Sequence, residues 1–484
     1  MAAALEIWAA CSRLPINLAL AARWLVGKED ARSLAERRFI ASRPPPAGWD
    51  GARVVWFHAA SLGESASVVP LVRAVLAQGG DRRALVTTST ATARRWLEEA
   101  LAAGRLDGLS AERVAVRLAP CDARAPVERF LRAWSPACGV FVESELWPAL
   151  LHTCSARGIP LALVSARLSA RSFAAWSWPG ARAVARALLG AFALVLPQCV
   201  EQRARFAALG ARLAGARTAN LKWCNPGFRP PPAPVEAAFA RRVLCGRPAW
   251  VAISTHDGED ELLARAHARM LARRGAGEAP QLPLLVVVPR HADDARRVAR
   301  AARAYAARGL SVARHSAFER GAPTADADVH LCDSIGQVAL FVRTCPLALV
   351  CGSLVDGIGG HNPLEPMRAG CATLLGPFAQ NVTSTLAAVA RSGAGANALE
   401  QLRSVDDLDR ALELLGPERA DELARRRSAA CSAADTLEAR VLATTLDALR
   451  AVLPPVGTEK AVGGAGARGT GARSACVSSI QVQG

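Results

Sequence analysis

Carboxylates placed just beyond apolar runs are the first chemistry this sequence offers. Glu64 follows the run ending at Phe57, within His58-Ala-Ala-Ser-Leu-Gly-Glu64, and Glu143 and Glu145 come directly after Gly139 to Val142. A carboxylate at such a point can take a proton from an attacking hydroxyl if its surroundings raise its pKa toward the working pH. The same spacing also suits a purely structural role. Ser61 and Glu64, with Gly63 between, have the S-x-x-E form of a capping box, and Glu145 can sit at the positive end of the next helix. His58 and Glu64 lack the i, i+4 spacing of a helical zinc pair, so no metal site is expected. Lys222 is one of only three lysines in a chain rich in arginine. A lysine kept where arginine is the habit points to a need for a compact ammonium.

A second group lies some two hundred residues further on. Ser254-Thr-His256 follows an apolar run and precedes a helical pattern, where backbone N–H groups and these side chains suit a phosphate. Arg290 stands right after Pro289 at the end of another apolar run, where a guanidinium can pair with phosphate or carboxylate. Arg296, Arg297 and Arg300 instead read as a solvated helix face. The most specific stretch runs from Cys351 to Glu365. Its Gly357, Gly359 and Gly360 permit close backbone approach. Asn362 is then expected to start a helix with Pro363 at its first position, Leu364 next, and Glu365 placed to hold ribose hydroxyls.

These positions need strands and helices to hold them. Short β-rich runs alternate with Ala/Leu/Arg segments of helical period, first from Arg53 to Leu196 and again from Trp250 to Leu375. Continuous apolar strands alternating with helices argue for parallel sheets covered on both faces. The fold class expected is α/β: two Rossmann-like, doubly wound domains facing a cleft, the GT-B architecture. The divisions are 1–44 as a membrane-associated or targeting segment, 45–222 as the first domain, 223–236 as a proline-rich linker, 237–453 as the second domain, and 454–484 as a disordered tail. The segment Ile7 to Leu25 carries an apolar helical stripe with basic residues around it. It fits a membrane-surface helix, an import signal or an ordinary first helix.

The net charge of +17 fits an anionic partner such as a membrane surface, or a coding bias toward arginine. Nucleic acid is not expected, because no basic run carries interleaved aromatics. The 13 cysteines contain no CxxC pair and read as buried free thiols.

From about Ser33 to Leu449 the chain resembles the bacterial-type transferases of 3-deoxy-D-manno-octulosonic acid (Kdo) and their plant and algal relatives. The resemblance rests on WFHAASLGES, ESELWP, IPLALVSARLSARS, STHDGED, VPRH, CDSIGQ and GSLVDGIGGHNPLEP. It implies a GT-B glycosyltransferase that moves Kdo from CMP-Kdo to a lipid A precursor, with inversion and without cofactor or metal. The first domain would then take the acceptor and the second the donor. Glu64 matches the family's base, and Glu143 and Lys222 match residues that stabilise the transition state. Pro289-Arg290, Ile335-Gly336-Gln337 and Asn362-Pro363-Leu364-Glu365 match segments that bind CMP. The resemblance also implies a location: mitochondrial in a eukaryote, the cytoplasmic face of the inner membrane in a bacterium.

The chain departs from the family at Gln337, where a glutamate is usual, and at Cys224, where an aspartate is. These departures leave open a degenerate nucleotide-sugar-binding membrane protein, and a GT-B enzyme with another sugar donor stands as a separate alternative.

Overall fold

The computed structural model describes residues 24, 29–39, 44–49, 52–225, 231–275, 281–322, 324–393 and 397–455. The apolar runs form two parallel sheets. The first holds β1 (Arg53–His58), β2 (Arg82–Thr88), β3 (Val114–Leu118), β4 (Cys138–Val142), β5 (Leu161–Ala166) and β6 (Phe192–Pro197), in the spatial order β3-β2-β1-β4-β5-β6. The second holds β7 (Ala249–Thr255), β8 (Leu284–Pro289), β9 (Val312–Arg314), β10 (Val329–Leu331), β11 (Leu347–Val350), β12 (Ala372–Leu375) and β13 (Leu399–Gln401). Its order is β13-β12-β11-β7-β8-β10-β9. The order in which strands are added reverses between β1 and β4 in one sheet, and between β7 and β11 in the other. Ligands of open α/β sheets bind beyond the carboxyl ends of strands at such switch points.

Alternate side chains of each strand feed opposite layers, as the two-residue strand period demands. Val55 and Phe57 enter one core and Val54 and Trp56 the other; Val251 and Ile253 are likewise separated from Trp250 and Ala252. Each fully buried aliphatic or Phe side chain contributes on the order of 1.5–3 kcal/mol.

The structure moves the expected divisions. Helix Ala31–Arg37 belongs to the first domain: Glu36 accepts from the Leu118 N–H at 2.7 Å, and Arg37 donates to the Ser89 carbonyl at 2.7 Å. The stretch from Ile7 to Leu25 lies outside the described residues apart from Trp24, as does the tail after residue 455. No helix among the described residues is long and apolar enough to cross a membrane.

The expected linker is shorter at both ends. Cys224 is buried in the first core, and helix Ala233–Phe239 has already begun, its proline tolerated in the first turn. The last helix, Ala420–Leu449, does not stay with the second domain. Ala430, Ala433, Ala434 and Leu437 pack in the second core, while Val441, Ala448 and Leu449 pack in the first, followed by Val452 and Leu453. A helix of 30 residues, at 1.5 Å rise per residue, is long enough to serve both.

Candidate active site

At the first switch point, helix Leu62–Ala77 opens with the expected cap. Ser61 accepts from the Glu64 N–H at 3.3 Å and donates its hydroxyl to Glu64 Oε1 at 2.8 Å; Glu64 Oε2 accepts from the Ala60 N–H at 2.9 Å. Burial raises the Glu64 pKa above the ordinary glutamate value. The Ser61 hydrogen bond opposes that shift, while the nearby Glu143 and Glu145 charges add to it.

Glu143, directly after β4, has φ 66°, a conformation that side chains other than glycine rarely adopt. Ser165 at the end of β5 and Ser254 at the end of β7 share it, with φ 51° and 59°. Strained backbone of this kind gathers where function requires it, and all three residues stand at strand ends. Glu143 Oε1 pairs with Lys222 Nζ at 2.8 Å, joining two residues about eighty positions apart in sequence.

Glu145 does not cap the following helix. That helix, Pro148–Ala156, begins without a side-chain cap, and Glu145 turns back to accept from His58 Nε2 at 3.0 Å and from the Trp147 indole. Burial opposes the Glu145 charge, but these hydrogen bonds and the His58 charge outweigh it and lower its pKa. His58 is thus committed to Glu145 and Thr87.

At the second switch point the expected phosphate cradle is partly occupied by protein. The His256 N–H donates to Glu259 Oε2 at 2.9 Å, so this amide is already taken. The carboxylate of Glu259, entirely buried, also accepts from the N–H groups of Gly352, Ser353 and Leu354 at 2.9–3.1 Å. One side chain thereby fixes the loops after β7 and β11 to each other. Only its position three residues past His256, in STHDGED, hinted at this. The imidazoles of His256 and His361 meet with Nε2 atoms 2.8 Å apart. Burial lowers both pKa values, that of His361 to about 4 with help from His256 and Arg290.

Helix Leu364–Arg368 begins one residue later than expected. Pro363 occupies the cap position, and Asn362 accepts from the Leu364 N–H at 3.2 Å. Burial pushes the Glu365 carboxyl up to about 7, against the effects of Asn362, Arg368 and Arg290. Gly359 and Gly360 have φ 88° and 84°. A Cβ on Gly359 would meet the Asn381 side chain at 2.8 Å, so this glycine is needed by protein packing.

Arg297 is a correction: it is buried, paired with Asp260 at 2.6 Å and bonded to Thr255. Ile335, Gly336 and Gln337 lead into helix Val338–Thr344. Ile335 is exposed, and Gln337 donates to Glu319 at 3.2 Å.

A cleft of about 410 Å³ joins the two halves, a volume in the range of small-molecule sites. Gly63, Arg167 and Lys222 face Gly360, His361 and Asn362 across it. Arg167 and His361 were not singled out from the sequence, although both lie inside the motif stretches SARLSARS and GGHNPLE.

Two parallel-sheet domains with strand-end residues converging on one cleft define the GT-B glycosyltransferase fold. In agreement, a glycosyltransferase from Rickettsia africae superposes with a TM-score of 0.52 over 83% of this chain and 99% of its own, at 8% identity. Sequence comparison goes further. A family model described as 3-deoxy-D-manno-octulosonic-acid transferase (kdotransferase) matches residues 32–224. The 3-deoxy-D-manno-octulosonic acid transferase of Bordetella pertussis is 36% identical over 399 residues, covering 82% of this chain and 86% of the relative. A protein of Arabidopsis thaliana named probable 3-deoxy-D-manno-octulosonic acid transferase, mitochondrial, is 31% identical over 338 residues, 69% of this chain and 70% of its own. The chain belongs to the Kdo transferase family.

Proposed function

We propose that this chain transfers Kdo from CMP-Kdo to a hydroxyl of a lipid A precursor at a membrane surface, with inversion, and that Glu64 is the general base. The observation that carries the base assignment is the place of Glu64 at the first switch point, on a helix whose Gly63 and Ser67 line the cleft; burial, which raises its pKa, suits that role. A base whose pKa is lifted toward neutrality accepts a proton more readily in the transition state.

Glu64 takes the acceptor proton as the hydroxyl oxygen bonds to the anomeric carbon and the bond to the CMP phosphate oxygen breaks. Glu64 belongs to the first domain and the nucleotide groups to the second, and attack from the face away from the leaving group inverts the centre. Lys222, held by Glu143, places a cation beside the reacting carbon and the Kdo carboxylate. Arg290 and the His256–His361 pair supply the preorganised electrostatics for the leaving phosphate. Glu365 accepts from the ribose hydroxyls when ionised. The high net positive charge favours an anionic lipid surface.

The test is incubation of the purified chain with CMP-Kdo and a tetra-acylated lipid A precursor in detergent. CMP release with a Kdo-bearing lipid is expected. Neither product appearing overturns the proposal.

A further inference from the structure

Arg368 ends helix Leu364–Arg368, the helix that carries Glu365. Its side chain is 12% exposed. The guanidinium donates to the carbonyls of Trp223 and Asn225 and pairs with Glu438 Oε2 at 3.2 Å, on the helix that crosses between domains. Trp223 follows Lys222 immediately and Asn225 comes three residues after it, in and just after the 3₁₀ turn Leu221–Cys224. That turn is anchored in the first domain by the buried Leu221 and Cys224, and by the Leu221 N–H donating to Ser165 Oγ at 3.2 Å. A further tie to the second domain is the Trp223 indole N–H, which donates to Thr385 Oγ1 at 3.1 Å on helix Thr383–Ala390. Lys222 projects from this turn toward Glu143 and lines the cleft.

We propose that Arg368 is a positioning residue that ties the nucleotide-side helix to the Lys222 turn, so that the cleft closes as a unit and excludes water from the donor. The inference rests on the Kdo-transfer reading given above. A planar guanidinium serves two carbonyls and one carboxylate from a preorganised fork, whereas a lysine's flexible stem loses more rotamer freedom to reach the same acceptors. Without it, two carbonyls and a half-buried Glu438 each lose a charged donor together, and the turn is no longer referred to the helix of Glu365. Water then reaches the place of the acceptor hydroxyl. Its oxygen bonds to the anomeric carbon, its proton goes to Glu64, and the bond to the phosphate oxygen breaks to give free Kdo and CMP.

The experiment measures, for the full chain, the share of CMP-Kdo hydrolysed against the share transferred to lipid, together with the radius of gyration by small-angle scattering. Arg368→Ala is expected to lower transfer kcat about tenfold, raise the hydrolysed share several-fold, and enlarge the particle; Arg368→Lys should fall between. Thr385→Val, nearly isosteric, removes only the Trp223 contact and should shift the partition the same way by less. A merely structural role lowers the active fraction and leaves the partition unchanged. Unchanged partition and unchanged radius in Arg368→Ala would overturn the proposal. If the wild-type chain releases no CMP, the transfer reading fails, and scattering alone then decides whether Arg368 holds the domains.

Discussion

Glu64 and Glu259 occupy equivalent places, near the start of the helix after the central strand of each sheet, at its switch point. Their surroundings differ, and they fit Glu259 to a structural part and Glu64 to the base role proposed above. Glu259 is wholly enclosed and receives four backbone N–H groups from two loops. Its lone pairs are spent on architecture. Glu64 has one amide and one hydroxyl as donors, with two other carboxylates close enough to raise its pKa. Position in the fold therefore does not tell a base from a staple; the count of donors and the sign of neighbouring charge do.

The largest expected effect tests the Glu64 side of this contrast. Glu64→Gln keeps the cap geometry and removes the proton acceptor, so transfer should fall by about 10³-fold, read as CMP release. In the wild type the rate should climb with pH as Glu64 loses its proton, on a limb displaced upward from the ordinary glutamate value. A variant with full rate would break the comparison at its functional end.

Next comes the staple. Glu259→Gln replaces a charged acceptor with an amide that must turn an NH₂ toward backbone donors. It should cost about 2–4 kcal/mol in urea unfolding. An unchanged midpoint and slope would mean that the two loops do not depend on this carboxylate.

The smallest effect concerns Glu365, whose carboxyl is raised by burial to about 7 from 4.5. A raised folded pKa contributes stability fully below the unfolded value, and that contribution is lost as pH rises through the folded one. Glu365→Gln has no such loss. At about pH 8 it should be roughly 2 kcal/mol more stable than the wild type, with little gain near pH 4. Thermal unfolding at both pH values checks this, and an equal gain at the two would refute the titration.

The sheets were legible because their central strands are continuous apolar runs, and the alternation read from Arg53 to Leu196 and from Trp250 to Leu375 covers β1 to β6 and, β9 apart, β7 to β12. The edge strands β9, Val-Ala-Arg, and β13, Leu-Glu-Gln, were not. They are three residues long and mostly not buried, and pairing rather than pattern makes them strands. Arg297 looked like its solvated neighbours because its partner Asp260 sits on another helix, which periodicity cannot reveal. The Lys222–Glu143 pair was visible only as two separate residues. Their meeting depends on the turn after the first domain folding back over β5, a long-range fact with no local signal.

The crossing helix Ala420–Leu449 also bears on how the polypeptide is made. The first sheet emerges early from the ribosome, yet part of the layer over one of its faces, Val441, Ala448, Leu449, Val452 and Leu453, is synthesised more than two hundred residues later. Until then Val68, Val72 and their neighbours lack that cover, and exposed apolar surface of this kind is what chaperones bind. A nascent chain stopped after the proline segment is thus an unfinished domain, and the enzyme's first half matures last.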